Sequence, residues 1–422
     1  MPELPVQSLG IRDVRIVNEV RLLNVIRRYQ PISRSQISSL TGLNASTITM
    51  IVKRLLAHDM ISEASTGAST GGRRPTFLTI NPNKMLVLGV DLGVWQTSYT
   101  VADFSGRQIL WRTLPTLPEE KELIRQPLAI TEDFVLQLCE DILKSLADAK
   151  LTKERGLSAV GVSVPEFVDV QEGSMVVGAS DRLVKVRIRQ LFEDRLGVPT
   201  FVDNDANAAA LAELWMGSGK LLGSRNIAYV LVVEGIGTAL IIEGRLHRGS
   251  RIGTGSFGHM PMDPNGPPCF CGARGCWETL ASEKALRRRF AELGGEDGTP
   301  GSEAAQAAAI IAAALRGNPT ALAALTANAR SLSLGILGLV QGLAPQAIIV
   351  GGQLVQAWDL IRLIIHETVR SRTYNPFLAE VDVLPSSVPY PPSLLGAVAI
   401  AISNMLEQQV TDPATLSLAT LT

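Results

Sequence analysis

The stretch that constrains this chain most strongly is GSFGHMPMDPNGPPCFCGARGCWE, residues 255–278. It holds three of the chain's four cysteines and one of its four histidines, and its prolines and glycines disfavour helix and strand. An irregular backbone lets three thiolates and an imidazole converge on one tetrahedral ion. We therefore predict a zinc site with the ligands His259, Cys269, Cys271 and Cys276.

Four protein ligands fill a tetrahedral zinc ion, so the predicted site is closed and structural, with no position for a metal-activated water. The alternative is a loop of unpaired thiols. A disulfide fits poorly with three neighbouring cysteines in a chain that we expect to be intracellular. The fourth cysteine, Cys139, lies apart in an apolar, helix-like segment.

Length and composition predict a globular protein of two or three domains. The chain has 422 residues, too many for one ordinary core, with 46% hydrophobic and 19% charged residues. No secretory signal is visible, and the most apolar stretch, residues 332–350, is interrupted by Gln341 and Pro345. We expect a soluble, cytoplasmic protein that does not enter a membrane.

The net charge of −1 conceals an asymmetry between the two parts of the chain. Residues 1–80 carry ten basic and five acidic side chains, which gives +5, and the remainder carries −6. A basic segment on an acidic body predicts a polyanion-binding head and a body with another role.

The head has the pattern of a winged helix-turn-helix. A first helix ends before Pro31, Ser33 can cap a short second helix, and Asn44 or Ser46 can cap a third. Strand-like segments at 60–65 and 75–80 follow, joined by a flexible wing tip, residues 66–74.

The start of the third helix is expected in the major groove of DNA, and the two arginines of the wing tip in the minor groove. Lys53 and Arg54 are expected near phosphates. The alternative is a three-helix interaction module with a solvated arginine pair. The predicted DNA contacts are Ser35, Asn44, Ser46, Thr47, Thr49, Lys53, Arg73 and Arg74.

Beyond Met85, apolar strands alternate with helices. A buried strand ends at Asp91 and Gly93, two antiparallel strands and a helix at about 129–149 follow, and further strands end in glycine or polar turns. This order predicts an α/β body of two lobes with a ligand cleft between them.

These motifs, in this order, resemble those of the ROK family of sugar kinases and transcriptional repressors, over nearly the whole chain. The segments that carry the resemblance are the head, GVDLG (89–93), GVSVP (161–165), DNDANAAALAE (203–213), the cysteine loop and IIVGG (348–352). The resemblance implies a ribonuclease-H-like, actin-type ATPase fold. It also implies a winged head at 1–82, a first lobe at 83–205 completed by a C-terminal helix at about 394–410, and a second lobe at 206–393 with the zinc loop.

The nucleotide motifs depart from the family pattern. Val94 and Trp95 replace the second glycine and the hydroxyl of the first phosphate loop, Glu234 replaces a phosphate-binding threonine, and Glu166 ends the changed GxGxPG strand. A carboxylate about 4 Å from a phosphate charge costs about 4 kcal/mol at an effective dielectric of 20. We therefore predict a protein that is not an enzyme and assign no catalytic residue. Asp205 matches the kinase base but is expected to be vestigial.

The motifs that bind the sugar in the family depart less from the family pattern than the nucleotide motifs do. The resemblance implies that Asn204 and Asp205 bind sugar hydroxyls, that His259 bridges zinc and sugar, and that Glu278 is a sugar-binding carboxylate. Carboxylates and amides suit this task because each makes two directed hydrogen bonds. The alternative for Asn204 and Asp205 is the N-cap of the helix that follows.

Two sugar contacts are altered. Ser256 stands where the family has a glutamate, and Asp181 or Arg182 where it has an asparagine. Because Arg182 and Lys185 add positive charge, we hypothesise an effector with a phosphate, acid or modified group, the alternative being that both are solvated. The predicted ligand contacts are Asn204, Asp205, His259, Glu278, Ser256 and Arg182.

The sequence thus predicts a sugar-responsive transcription regulator, in the first place a repressor. It would bind double-stranded operator DNA as a homodimer or tetramer, with one structural zinc per chain. One rival is an active sugar kinase with a regulatory head, which the retained Asp205 favours. A second rival is a regulator switched by a protein partner or by zinc.

Overall fold

The computed structural model of the chain describes residues 11–64, 76–116, 130–151, 156–177, 184–218, 221, 224–250, 252–296 and 303–411. Its head contains the helices α1 (Ile11–Tyr29), α2 (Arg34–Thr41) and α3 (Ala45–Ala57). The strands β1 (Ile32–Ser33), β2 (Ile61–Ala64) and β3 (Phe77–Ile80) form an antiparallel sheet in the order β1-β3-β2. The predicted helix-turn-helix and wing strands are confirmed, and β1 was not predicted.

Side-chain caps fix where the second and third helices begin. Ser33 and Gln36 form a reciprocal capping box at α2, and Gly42 ends that helix with a φ of 68°. Asn44 caps α3 by accepting a hydrogen bond from the backbone nitrogen of Thr47. Of the two caps that the sequence allows, Asn44 and Ser46, the structure therefore has Asn44. The wing tip lies outside the described residues.

The first lobe is built on a sheet in the order β11-β7-β4-β5-β6, in which β11, β7 and β4 are parallel. The strands β8, β9 and β10, which lie between β7 and α5 in the sequence, form a small antiparallel sheet. The elements are β4 (Leu86–Leu92), β5 (Gln96–Asp103), β6 (Gln108–Pro115), α4 (Glu132–Asp148), β7 (Leu157–Val164), β8 (Phe167–Asp169), β9 (Ser174–Val177), β10 (Val184–Val186), α5 (Ile188–Leu196) and β11 (Thr200–Asn204).

The second lobe is built on a sheet in the order β14-β13-β12-β15-β16. The elements from β11 to the end of the described chain are α6 (Asp205–Met216), β12 (Ile227–Val232), β13 (Ile236–Ile242), β14 (Arg245–Leu246), α7 (Trp277–Ala281), α8 (Glu283–Glu292), α9 (Glu303–Leu315), α10 (Pro319–Leu343), β15 (Ala347–Gly352), α11 (Trp358–Arg372), β16 (Asp382–Pro385) and α12 (Pro392–Thr411). The predicted α/β class is confirmed.

The C-terminal helix α12 returns to the first lobe and packs on β4, β7 and α6. Glycines permit this close approach: a Cβ at Gly161 would lie 1.9 Å from the carbonyl oxygen of Ala397, and one at Gly89 would lie 2.7 Å from Val398. Ile402 and Leu406 of the same helix share a core with the head. The head and the first lobe are therefore packed against one continuous hydrophobic core.

The long apolar helix α10 is the core helix of the second lobe. By length and composition alone it could cross a bilayer, and it is the one described helix that meets that criterion. Its buried residues, among them Leu332, Ile336 and Leu339, instead pack in the same cluster as Trp277. The apolar stretch at 332–350 thus forms the end of α10, a turn at residues 344–346 and the buried strand β15.

Two glycines of α10 offer a matched test of this packing. A Cβ at Gly335 would lie 1.9 Å from the ring of the fully buried Trp277, whereas nothing lies within 4 Å of one at Gly342. We expect Gly335→Ala to lower the free energy of unfolding by about 1–3 kcal/mol because the core becomes overpacked. Gly342→Ala should be neutral or stabilising by up to about 1 kcal/mol. Urea unfolding of both variants measures the difference, and equal midpoints would contradict the packing described.

Candidate functional site

A cleft between the two lobes contains two adjoining cavities. The larger, of about 630 Å³, is lined by the ends of β7 and β11, the start of α6, the turn between β12 and β13, and the cysteine loop. The smaller, of about 440 Å³, lies next to the end of β4 and the start of α12. Both are bordered by Val94, Pro165, Asp205, Val233 and Glu234, so they are two compartments of one cleft.

The cysteine loop brings together the four predicted metal ligands. His259 ends a short 3-10 helix, Ser256–His259, and Cys276 immediately precedes α7. A bridge between Pro261 and Cys276 holds the two ends of the loop together. The ligand atoms of His259, Cys269, Cys271 and Cys276 all lie within 4.8 Å of one another. The sequence prediction of this cluster is confirmed.

The cluster has the dimensions of a tetrahedral site. Cys271 Sγ lies 3.6 Å from Cys276 Sγ, and Cys269 Sγ lies 3.5 Å from His259 Nδ1. An ion with bonds of about 2.3 Å to sulfur places tetrahedral ligands about 3.8 Å apart, so these separations fit. Burial, followed by the nearby Glu278, raises the pKa of the Cys269 thiol, and a bound cation would reverse that effect.

Asn204 and Asp205 join β11 to α6 at the floor of the larger cavity. The Asn204 side chain caps α6 by accepting a hydrogen bond of 2.9 Å from the Ala206 nitrogen, and the residue also lines the cavity. Asn204 can therefore cap α6 and contact a ligand at the same time. Burial, followed by the charge of Asp91, raises the pKa of Asp205 to about 7.

The cysteine loop brings further predicted ligand contacts to the same cavity. Glu278, in the first turn of α7, lies with Oε1 3.4 Å from His259 Nδ1, and both residues line the cavity. Ser256 lines it as well, and its hydroxyl donates to the carbonyl of Gly253. Arg182 lies outside the described residues. Lys185 is exposed, is ion-paired with Glu172 and does not line the cavity, so it does not support an anionic effector.

Two residues that the sequence did not assign to ligand binding also line this cavity. Arg248 Nη2 lies 2.5 Å from Oδ2 of the buried Asp203, and this ion pair links the loop after β14 in the second lobe to β11 in the first. Glu166, noted above only as a departure from the nucleotide motif, lines the wall next to Asp205 and Glu278. No motif marks Arg248, because its partner is 45 residues away in the chain.

The smaller compartment is poorly suited to a triphosphate. Trp95, Trp111 and Tyr390 line it, and no lysine, arginine or histidine is among its described lining residues. Asp91 accepts hydrogen bonds from two serine hydroxyls, and burial raises its pKa to about 6.

The charge of Glu234 is not bare, contrary to what the sequence implies, because Arg287 Nη2 contacts both of its carboxylate oxygens, at 3.0 and 2.9 Å. Its repulsion of a phosphate is therefore smaller than about 4 kcal/mol. The absence of a basic side chain among the described lining residues, together with the bulk of Trp95, disfavours a triphosphate more strongly.

The described face of the head presents most of the predicted DNA contacts to solvent. Asn44 Oδ1 is already occupied as the cap of α3, and the Thr49 hydroxyl donates to the Ala45 carbonyl. Arg54, which the sequence predicts near phosphate, is ion-paired with the buried Glu19. Arg73 and Arg74 lie outside the described residues. The exposed predicted contacts are Ser35, Asn44, Ser46, Thr49 and Lys53, and Thr47 is half-buried.

Comparison with known proteins gives a consistent assignment. The model of the ROK family matches residues 87–404. A putative xylose repressor from Caldicellulosiruptor sp. (strain Rt8B.4) is 32% identical over 404 residues, covering 93% of this chain and 97% of that protein. The xylose repressor of Bacillus subtilis (strain 168) is 30% identical over 398 residues, with the same coverage.

Two solved structures resemble the fold. A ROK family transcriptional regulator, a homologue of the E. coli MLC protein, aligns with a TM-score of 0.70 and 24% identity over 94% of this chain and 99% of its own. A ROK family glucokinase from Streptomyces griseus, in complex with glucose and AMPPNP, aligns with a TM-score of 0.60 and 27% identity over 75% of this chain and 99% of its own.

Metal content tests the cysteine cluster. We expect one metal ion per purified chain, and we expect Cys271→Ala to lose it because a tetrahedral site with one ligand fewer binds more weakly. Cys139→Ala, which removes a buried cysteine far from the cluster, is the matched control and should keep the ion. Elemental analysis measures both. Equal metal content in the two variants would contradict the assignment.

Proposed function

The chain belongs to the ROK family, and from this premise we propose that it is a transcriptional repressor that responds to a sugar. One observation supports the proposal: a winged head shares a core with a body whose larger cavity is lined by carboxylates and amides, while the described lining of its smaller cavity contains no lysine, arginine or histidine. Relatives of 30% and 32% identity are named xylose repressors, and a 26% identical relative is named N-acetylglucosamine repressor. Xylose and N-acetylglucosamine are therefore the first sugars to test.

The head binds operator DNA in this proposal, in the cytoplasm. The N-terminal end of α3 enters the major groove, where Ser46, Thr47 and Thr49 reach base edges and Lys53 reaches a phosphate. Ser35 and Asn44 approach the backbone, and Arg73 and Arg74 the minor groove. Two heads of a homodimer bind a palindromic operator, because such heads read half-sites related by two-fold symmetry.

The larger cavity binds the sugar. Asp205, Glu278, Ser256 and Asn204 supply hydrogen-bonding groups for hydroxyls, and Arg182 remains a predicted contact. Zinc is the metal that three cysteines and one histidine favour. Its role is to hold the cysteine loop, with His259 Nδ1 towards the sulfurs and the ring at the cavity wall.

A sugar kinase is the rival function, and the specific observation in its favour is Asp205, which stands at the position of the kinase base. The smaller compartment disfavours a kinase, because its described lining contains carboxylates and no basic side chain. An assay of sugar-dependent ADP release separates the two, since turnover at ordinary enzyme rates would favour the kinase.

Helix α6 provides a route from the sugar to the DNA. Its first residue, Asp205, lines the cavity, and its C-cap, Gly217, accepts a hydrogen bond from Arg28 in the last turn of α1. A helix of 12 residues spans about 18 Å. Glu213, near the same end, accepts hydrogen bonds from Ser386 and Ser387 of the second lobe. A sugar that favours one arrangement of the lobes would thus reposition the head.

DNA binding is tested with the full-length chain and promoter fragments from its own genomic region. We expect a strongly salt-dependent affinity that changes at least about tenfold on addition of the effector sugar. Lys53→Ala should weaken binding and lower the slope of log K against log salt by about one. Lys144→Ala, an equal charge change at an exposed site on α4, is the control. Fluorescence anisotropy measures these quantities, and an equal effect of both variants would contradict the proposed DNA face.

The Arg28 contact gives a test of the coupling itself. In Arg28→Ala, the ratio of the DNA affinities with and without sugar should fall towards one. The reason is that the head loses its hydrogen bond to the end of α6. Binding of sugar to the free protein should be unchanged. Arg21→Ala on the same helix is the control, since Arg21 makes no hydrogen bond or ion pair in the described part of the chain. Full coupling in Arg28→Ala would reject this route.

A further inference from the structure

Glu166 is the residue of the larger cavity whose chemistry the proposed function leaves unexplained. It lies in the turn between β7 and β8, and its backbone carbonyl accepts a hydrogen bond of 3.4 Å from Asn204 Nδ2. Its side chain is half-buried and lines the cavity. The carboxylate makes no hydrogen bond or ion pair with any other residue that the structure describes, so its oxygens remain available to a ligand.

The surroundings of Glu166 are acidic. Burial first, and then the charges of Asp205 and Glu278, raises its pKa to about 7. Three carboxyl groups from three different elements therefore face one part of the cavity. In their ionised form, which predominates above pH 7, these carboxyl groups accept hydrogen bonds from hydroxyl groups and repel a second anion.

Two of the three lysine and arginine side chains in the described lining of the cavity are already engaged. Arg248 is ion-paired with Asp203. Arg288 donates to the Thr279 carbonyl at 2.9 Å, and its Nε lies 3.3 Å from Glu292. Lys284, the third of them, is exposed on α8.

We propose that Glu166 is a specificity-determining residue that makes the cavity select an uncharged sugar and reject its phosphorylated or carboxylated derivatives. This inference rests on the proposed function, because it concerns the ligand of the same cavity. A sugar hydroxyl donates to the Glu166 carboxylate, whereas a phosphate or carboxylate group near Asp205 and Glu278 meets like charge. Lys185, one of the two basic residues that suggested an anionic effector from the sequence, does not line the cavity and has no role in this selection.

The test is a calorimetric titration of the zinc-loaded full-length chain. The ligands are xylose, glucose and N-acetylglucosamine, each beside its terminal phosphate ester, together with glucuronic acid. The variants are Glu166→Gln, which keeps an acceptor but removes the charge, and Glu166→Gly, which removes both. Glu172→Gln is the matched control, because Glu172 is an exposed carboxylate, ion-paired with Lys185, that does not line the cavity.

We expect the unmodified chain to bind one neutral sugar at least about tenfold more tightly than its phosphate ester. Glu166→Gln should reduce the ratio of the two affinities about tenfold while still binding the neutral sugar. Glu172→Gln should leave that ratio unchanged. Glu166→Gly should narrow the preference and also weaken the neutral sugar, since the hydrogen bond is lost.

Other outcomes separate this inference from the function on which it rests. Tighter binding of the phosphate ester, or the same preference in Glu166→Gln as in the unmodified chain, overturns the role of Glu166. Selective sugar binding that leaves DNA affinity untouched overturns the proposed function and supports the inference. If no sugar of either kind binds, both are rejected.

Discussion

The close packing of α12 on the first-lobe sheet is the constraint on which the rest of the structure depends. The helix lies so near β4 and β7 that side chains at Gly89 and Gly161 would collide with it. A Cβ at Gly396 of the helix itself would likewise lie 2.1 Å from the carbonyl of Ala208 in α6. Because residues of α12 also share a core with α1, one helix joins the head, the sheet and α6.

This arrangement explains how a ligand in the cleft can control a distant head, as our proposed function requires. Three of the residues that bind the ligand in our proposals, Glu166, Asn204 and Asp205, stand after β7, at the end of β11 and at the start of α6. All three elements pack beneath or beside α12. Tightly packed interfaces have few alternative arrangements, so a change at the cavity is passed on as a movement of whole elements. The Arg248–Asp203 pair connects the second lobe to the same edge.

On the other side of the cleft, the cysteine loop fixes the position of Glu278. Pro261 and Cys276 are bridged, and Trp277, directly after Cys276, is fully buried in the core of the second lobe. Glu278 is the next residue, so its position follows from the anchoring of its two predecessors. A metal ion at the cluster would hold the loop from its other end, next to the carboxylate of Glu278, whose Oε1 lies 3.0 Å from Cys269 Sγ and which lines the cavity.

Local signals in the sequence were sufficient for some of these features. Ser33 and Asn44 predict helix starts because a cap bonds a backbone group within three residues. The cysteine spacing predicts the metal ligands for a similar reason, since Cys269, Cys271 and Cys276 are close in the chain.

Features that join distant segments left no such signal. The pairing of Arg287 with Glu234 spans 53 residues, and it removes much of the charge that the sequence assigned to the nucleotide compartment. The ion pair of Arg54 was not predicted for the same reason, because its partner Glu19 belongs to another helix. The packing of α12 against the head depends on contacts between the two ends of the chain.

The most direct measurement of the central claim is amide hydrogen exchange of the full-length protein with and without a saturating sugar. Our account predicts changed protection along a continuous set of elements, from the Pro165–Glu166 turn and the start of α6 to α12 and the last turn of α1. Changes confined to the loops that line the cavity, with α12 and α1 unaffected, would contradict it.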